Sequence, residues 1–493
     1  MNLSALLSQT ETFAVHGRTD RDISSLCYDS RQAKAGSLFV AMKGEKTDGA
    51  RFIPQALAQG VEAIVAEQEV RDDRAASIFV RNARAALADL AAAFYGHPSL
   101  QLKVTGVTGT NGKTTTAFLI KHICEQSLLR CGLLGTVRYE IGDRVIPASR
   151  TTPESLDIQQ LLWQMTAEGC KSAVMEVSSH ALVQERVRGI ELDVAVFTNL
   201  TQDHLDYHLT MEAYFEAKSR LFTALSVQRK KRGKAIINAD DRHGALLVSR
   251  WKESLPVLTY GLGARSDFRA SNIRSDFHGT AYQLDAKDRS YLVRLPLIGQ
   301  FNVYNSLAAI ATASALGLEV RGAVLALANA SAVPGRLEAV PGQRAFKVFV
   351  DYAHTDDALL NVLKTLRELN PARLIAVFGC GGDRDRGKRP RMGAAVDQLA
   401  DYAIVTSDNP RGEDPLAIID DIKPGLKRGR YEVIVDRKEA IQRAVELAEA
   451  RDIVLIAGKG HETYQEFADK TVPFDDVAVA KAAMDDKRVD FNR

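Results

Sequence analysis

A chain of 493 residues is long for one domain, and at about 100–200 residues per domain it has room for roughly three. Hydrophobic residues make up 46% and charged residues 26%, ordinary globular values that exclude a mostly disordered or fibrous chain. Lys and Arg number 64 against 62 Asp and Glu, so the net charge of +2 leaves no footprint of the kind that sequence-independent nucleic-acid binding needs.

An anionic partner must therefore be held by local groups. The five cysteines (Cys27, Cys124, Cys131, Cys170, Cys380) form no CxxC pair and are odd in number, which fits a reducing compartment better than a disulfide scaffold. The opening MNLSALLSQTETF lacks the basic region and apolar stretch of a secretory signal, and no segment reaches the roughly 18 apolar residues of a membrane span. The expectation is a soluble cytoplasmic protein with no nucleic-acid partner.

Short apolar runs rich in β-branched residues alternate with segments of helical spacing, the pattern of an α/β protein with largely parallel sheets. Three blocks follow one another. The first, to about residue 98, offers strands at 37–42, 63–67 and 77–80 and a helix at 83–95 that Asn82 can cap. It holds no catalytic grouping. The second has strands at 102–107, 173–175, 194–198 and 235–238 and carries most of the unusual polar clusters. The third begins near Val333-Pro334-Gly335-Arg336 and repeats strand, loop and helix, with strands at 347–350, 374–378, 403–406 and 453–457. There Thr355 can cap a helix whose Ala358, Leu359, Val362, Leu363 and Leu366 form one apolar stripe. No internal repeat and no low-complexity tract is visible. The basic run 228–234 has no interleaved aromatics and reads as a solvated loop.

In a doubly wound sheet, ligands bind at the carboxyl ends of the strands, so the residues just after each strand are the candidates. The first junction is Gly109-Thr110-Asn111-Gly112-Lys113-Thr114-Thr115, a Gly-rich turn between a strand and a helix. Such a loop turns its N–H groups and a helix dipole toward phosphate. Lys113 would reach the β- and γ-phosphates, and the Thr114 hydroxyl could ligate Mg²⁺. Val107 stands where the first glycine of GxxxxGK[ST] belongs, so the consensus is incomplete. Strand, glycines, lysine, paired threonines and helix together still favour nucleotide binding over a plain glycine turn.

The next strand ends in Met175-Glu176-Val177-Ser178-Ser179-His180, placing a carboxylate where Mg²⁺ would need one. A third runs into Asn199-Leu200-Thr201-Gln202-Asp203-His204-Leu205-Asp206-Tyr207-His208. Two acids and two histidines in six positions raise zinc as an alternative, but with no nearby cysteine and a phosphate loop upstream, hard Mg²⁺ ligation fits better.

These runs, with Asn302-Val303-Tyr304-Asn305, residues 334–338, Asp351-Tyr352-Ala353-His354 and residues 379–388, resemble the Mur ligase family of ATP-dependent amide-forming enzymes. The resemblance implies an α/β fold of three domains. Residues 1–98 would bind the uridine-nucleotide substrate, 99–336 would form a central P-loop ATPase-type domain with a parallel sheet, and 337–493 a Rossmann-like domain for the amino acid. In that family ATP phosphorylates a UDP-N-acetylmuramoyl peptide carboxylate, and an amine attacks the acyl phosphate. Lys113, Glu176, His204 and Lys218 are then the implied catalytic residues, with Thr114, Glu176, His204 and a carbamylated Lys218 as metal ligands. Judged without the family, Lys218 is an exposed helical lysine. Beyond residues 109–115, the resemblance gives Asn302, Asn305, Arg336, Asp351 and Lys388 to ATP. It gives Ser30, Thr151, Thr152, Ser178, Gln184 and Arg186 to the UDP-peptide. Arg150 departs from the Asn-like residue expected before Thr151.

Two further loops, Thr406-Ser407-Asp408-Asn409-Pro410-Arg411 and Ala457-Gly458-Lys459-Gly460-His461-Glu462, resemble those of family members that add meso-2,6-diaminopimelate to UDP-N-acetylmuramoyl-L-alanyl-D-glutamate. Arg384, Asp408, Asn409, Pro410, Arg411, Gly458 and Glu462 would bind the amino acid. Diaminopimelate carries a second carboxylate and ammonium, whereas lysine ends in an ammonium alone. Arg411 offers a fork for that carboxylate, with Arg384 as a second cation, and Glu462 can accept from the ammonium. With lysine, Arg411 would stand unpaired in a closed pocket, which is costly. The expected chain acts as a monomer on these two substrates with ATP and Mg²⁺. A lysine-adding ligase, a folylpolyglutamate synthase and a nucleotide-driven switch are the competing readings, and His208 and His354 are candidate proton acceptors.

Overall fold

The computed structural model describes residues 1–44, 47–230 and 233–486, so residues 231 and 232 of the basic run lie outside the described part. The α/β expectation holds. Among the described residues, three large sheets succeed one another along the chain, each with its own core.

The first sheet has five strands in the order Ala14–His16, Ala76–Phe79, Ala63–Ala66, Ser37–Val40, Ser25–Cys27, parallel except for the first pair. Asn82 caps the helix Ala83–Phe94 by accepting from the N–H groups of Arg84 and Ala85, as its position predicts.

The second sheet has eleven strands, with the phosphate-loop strand Lys103–Thr108 between Ser172–Glu176 and Val194–Phe197, all parallel. Both neighbours are buried along their whole length, which explains their unbroken apolar runs. The helices Lys113–Gln126 and Gln300–Ala315 fill one face; Ser155–Ala167 and Met211–Val227 fill the other. An antiparallel meander, Phe268–Asp276, Gly279–Ala286 and Arg289–Leu295, extends one edge.

The third sheet has six strands in the order Glu338–Ala339, Lys347–Asp351, Ile453–Ala457, Leu374–Phe378, Tyr402–Val405, Tyr431–Val433, parallel except for the first pair. Thr355 caps Asp356–Glu368, and Leu359, Val362, Leu363 and Leu366 are buried against the sheet, as the stripe predicts. That core also takes in Ile298 and Phe301 from the second block, so the last two blocks share apolar contact.

Behind the strand ends of the third sheet, Arg437 is wholly buried and pairs with Asp476 through two bonds, 2.8 and 2.7 Å long. Its remaining donors reach the carbonyls of Ser407 and Ala457, which begin the loops after two strands. Asp476→Ala would leave a guanidinium buried without its countercharge. The expected loss is about 3–5 kcal/mol in chemical denaturation, with the helix Asp476–Asp485 losing hydrogen-exchange protection first.

Candidate active site

The phosphate loop lies at the carboxyl edge of the central sheet. Gly112 has φ 84°, and a Cβ there would sit 2.4 Å from Asn305 Oδ1, so position 112 requires glycine for both conformation and space. Asn111 N–H donates to Asn199 Oδ1 (2.9 Å), and Thr198 Oγ1 donates to the Asn111 carbonyl (2.6 Å). Lys113 Nζ folds back onto the carbonyls of Gly109 (3.0 Å) and Thr110 (2.8 Å). Burial pushes its ammonium below the usual lysine range, opposed by Glu176 and Asp203.

Thr114 and Glu176 meet as expected. Thr114 Oγ1 donates to Glu176 Oε2 (2.9 Å) and accepts from Arg336 Nη2 (3.1 Å), so one hydroxyl joins the two later blocks. Glu176 also accepts from Thr136 N–H (2.7 Å), and the Thr136 hydroxyl lies 3.0 Å from both Glu176 Oε2 and Thr151 Oγ1. A hydroxyl and a carboxylate at the head of a phosphate loop are the hard oxygen donors that Mg²⁺ takes alongside phosphate oxygens.

A cavity of about 300 Å³ opens here, with Thr115 and Asn305 on one wall and Asp351, Asp357 and Asn361 on the other. Asn302 and Asn305 join through their amides at 3.0 Å. Asp351 accepts from the N–H groups of Leu337 and Ala353 (2.6 and 2.8 Å), and burial pushes its carboxyl up to about 6 against the pull of Arg336. Asn111 Nδ2 reaches Asp357 Oδ2 at 3.1 Å. Asp357 and Asn361 were not singled out from the sequence because they sit on a helix whose apolar stripe draws the eye.

Lys218 corrects its reading as an exposed lysine: it is 1% exposed, with Nζ 2.7 Å from the Gly109 carbonyl and 4.5 Å above the Tyr214 ring. Burial, with Lys113 nearby, holds its amine well below the usual range. Of the four implied metal ligands, Thr114 and Glu176 stand together. Lys218 as an amine donates to a carbonyl, and His204 Nε2 faces Asp203 Oδ2 at 3.4 Å. Among the described residues no three His, Cys, Asp or Glu side chains gather as a metal site.

A second cavity, about 570 Å³, separates the second and third blocks. His180, Asp203, His204 and Tyr207 form one wall. The His180 ring packs 4.2 Å from Tyr207 and 4.9 Å from His204. Burial lowers His204 to about 4, against Asp203. Lys388, His354 and every implied amino-acid residue except Pro410 face it from the other side. Lys388 Nζ donates to the His354 carbonyl (2.9 Å), and His354 Nδ1 lies 2.8 Å from the Tyr352 carbonyl. His208 is buried instead, with Nε2 2.9 Å from Ser179 Oγ.

Pro410 is buried beneath the loop. Arg411 departs from expectation. Its Nε donates to Glu466 Oε2 (2.9 Å) and its Nη1 to the Gly382 carbonyl (2.9 Å), so it would not stand unpaired without a second carboxylate. Arg384 is exposed, its Nη1 on the Asp383 carbonyl. The strand Tyr464–Glu466 supports this loop from outside the motifs, with Gln465 donating to the Asp408 carbonyl at 2.7 Å.

The implied UDP-peptide residues cluster at the back of Glu176, apart from Ser30, which donates to Gln55 in the first block (2.9 Å). Thr152 Oγ1 donates to the Glu176 carbonyl (2.8 Å) and accepts from Ser178 N–H (3.1 Å). Arg186 reaches the Thr152 carbonyl (3.0 Å) and Gln184 (2.5 Å). Behind them stands Glu154, buried, which sequence reasoning missed. Arg150 (2.6 Å), Arg186 (3.1 Å) and Arg84 of the first block (3.5 Å) converge on its carboxylate. The irregular Arg150 thus pairs with Glu154, four residues on, just before the helix Ser155–Ala167. Two of the three arginines, Arg84 and Arg186, come from distant stretches and leave no local signal.

Known proteins show the same architecture. Family models match residues 22–95 (Mur ligase family, catalytic domain), 107–313 (Mur ligase middle domain) and 335–460 (Mur ligase, glutamate ligase domain). The UDP-N-acetylmuramoyl-L-alanyl-D-glutamate:2,6-diaminopimelate ligase of Geobacillus kaustophilus is 47% identical over 99% of this chain and 100% of its own. That of Caldanaerobacter subterraneus is 44% identical over 95% and 96%. A solved ligase of the same description is 35% identical, with a TM-score of 0.71 over 98% of this chain and 99% of its own. The chain belongs to the Mur ligase family.

Glu154→Gln keeps the shape of the hub but strips the negative charge on which three guanidiniums converge. The expected result is a loss of about 1–3 kcal/mol in urea unfolding, with hydrogen-exchange protection falling first in the helix that carries Arg84.

Proposed function

We propose that this protein joins meso-2,6-diaminopimelate to UDP-N-acetylmuramoyl-L-alanyl-D-glutamate with cleavage of ATP to ADP, as a step in making peptidoglycan precursors. The observation that carries the reading is the second cavity, where Arg411, Arg384, Asp408 and Glu462 line one space across from His180 and His204. Charges of both signs suit an amino acid with a zwitterionic far end. The full-length identity to the named relatives supports the same substrate over folate and over a switch that makes no amide.

The phosphate loop and the cavity beside Asn302, Asn305, Arg336 and Asp351 form the ATP site of this reading, with Lys113 and Arg336 opposing the charge on the transferring phosphoryl group. Thr114 and Glu176 would hold Mg²⁺. When bound, the ion supplies charge neutralisation between nucleotide and acceptor carboxylate. Thr151, Thr152, Ser178, Gln184 and Arg186 present the UDP-peptide, with Ser30 holding its uridine end from residues 1–98. A glutamyl oxygen takes the γ-phosphoryl group as its bond to the β-phosphate breaks. The amine then forms the C–N bond while phosphate leaves and the amine proton is released. His354 is the acceptor we assign: Nδ1–H donates to the Tyr352 carbonyl, which leaves Nε2 with its lone pair. Residues 99–336 carry the phosphoryl chemistry and 337–493 the amino acid. The described residues include no helix long and apolar enough to cross a membrane, and a reaction of ATP with UDP-linked substrates would suit the cytoplasm.

The depressed amine of Lys218 is neutral at a pH where free lysine is protonated, which is the form that adds CO₂. Carbamylation would replace a buried neutral amine with an anion able to support a metal. Protein equilibrated with ¹³C-bicarbonate near neutral pH should give a carbamate ¹³C resonance that Lys218→Ala lacks. Identical spectra would dismiss the modification.

For the substrate, diaminopimelate and lysine offered in competition should yield the diaminopimelate product by mass. Arg411→Ala should raise KM for diaminopimelate about tenfold, the scale of a lost charge-assisted bond, with ATP binding unchanged. Equal turnover of lysine by the natural chain would overturn the assignment.

A further inference from the structure

Lys459 is 0% exposed, yet it sits between Gly458 and Glu462, which face the cavity. Its Nζ donates to Asn409 Oδ1 (2.8 Å) and to Glu462 Oε2 (3.0 Å), and lies 5.4 Å from the Tyr464 ring centroid. Asn409 Nδ2 donates to the same Glu462 oxygen (2.8 Å), while Glu466 N–H donates to Asn409 Oδ1 (3.0 Å). Among the described residues, the hydrogen bonds to the Glu462 carboxylate thus all fall on Oε2. Its Oε1 is left for a donor from the cavity. The turn that buries the lysine needs the preceding glycine: Gly458 has φ 118°, and a Cβ there would meet Asp408 Oδ2 at 2.4 Å.

A lysine taken fully out of water is costly unless a countercharge and hydrogen bonds compensate it, and here the countercharge is the cavity's own Glu462. Packing alone would be served by Met at this position. Lys459 does more: it fixes two polar side chains at once, locks the Asn409 amide orientation, and neutralises one side of the Glu462 carboxylate.

We propose that Lys459 is a positioning residue for the far amino-acid head of diaminopimelate, clamping Asn409 and Glu462 so that the free Glu462 oxygen meets the ammonium. The inference rests on the diaminopimelate reading above and adds a residue that acts through others rather than on the substrate.

The test is a double-mutant cycle in the full chain with Lys459→Met, Glu462→Gln and the two combined, followed by steady-state kinetics and thermal melting. Lys459→Met should raise KM for diaminopimelate about tenfold, change kcat less, and leave KM for ATP unchanged. In the Glu462→Gln background the same substitution should add less than about twofold, because its partner is already gone. If Lys459→Met does not fold, Lys459→Gln, which keeps a donor but not the charge, is read in the same way. An unchanged KM for diaminopimelate, or a factor that multiplies in full on Glu462→Gln, overturns the positioning role while leaving the substrate reading intact. Failure of the natural chain to use diaminopimelate overturns both.

Discussion

Glu176 is the fixed point of this molecule. Its buried carboxylate accepts from the phosphate-loop hydroxyl of Thr114 and from the N–H of Thr136, and its carbonyl accepts from Thr152. Through Thr114 it is one hydrogen bond from Arg336, at the start of the third block. The phosphate loop, Thr136, Thr152 and Arg336 therefore share a single residue at the end of a central strand. A carboxylate buried among so many donors is stable there because each oxygen has a partner.

Around that point the charges are arranged for anions. Lys113, Lys218 and Arg336 approach the loop; burial, aided by repulsion among them, holds both lysines below their usual range, and both turn onto backbone carbonyls. In the proposed reaction, a nucleotide and a carboxylate substrate would relieve this repulsion as they bind. The amino-acid cavity follows another logic. Its cations and anions alternate, with Arg411 against Glu466 and Lys459 against Glu462, which suits a ligand carrying both signs.

Much of this was legible because an α/β fold puts its chemistry directly after its strands. The runs 109–115, 176–180 and 408–411 were found that way, and each does follow a buried strand. The strand Phe268–Asp276 is hard to read because a register shift between Ser271 and Arg274 breaks the two-residue alternation that marks a strand. Glu154 and Lys459 were hidden for a different reason. Their importance lies in partners from distant stretches, Arg84 and Arg186 for one, Asn409 for the other, and no spacing rule reaches that far. The unpaired state inferred for Arg411 failed likewise, because Glu466 lies 55 residues away along the chain. Local motifs tell which groups touch a ligand, and only the fold tells what holds them.

The account turns on the fate of one oxygen atom. If ATP activates the glutamyl carboxylate as an acyl phosphate, substrate labelled with ¹⁸O in that carboxylate must pass one labelled oxygen to the inorganic phosphate released with each amide formed, readable by mass spectrometry or by the ³¹P isotope shift. Phosphate free of label under conditions of full product formation would contradict the mechanism.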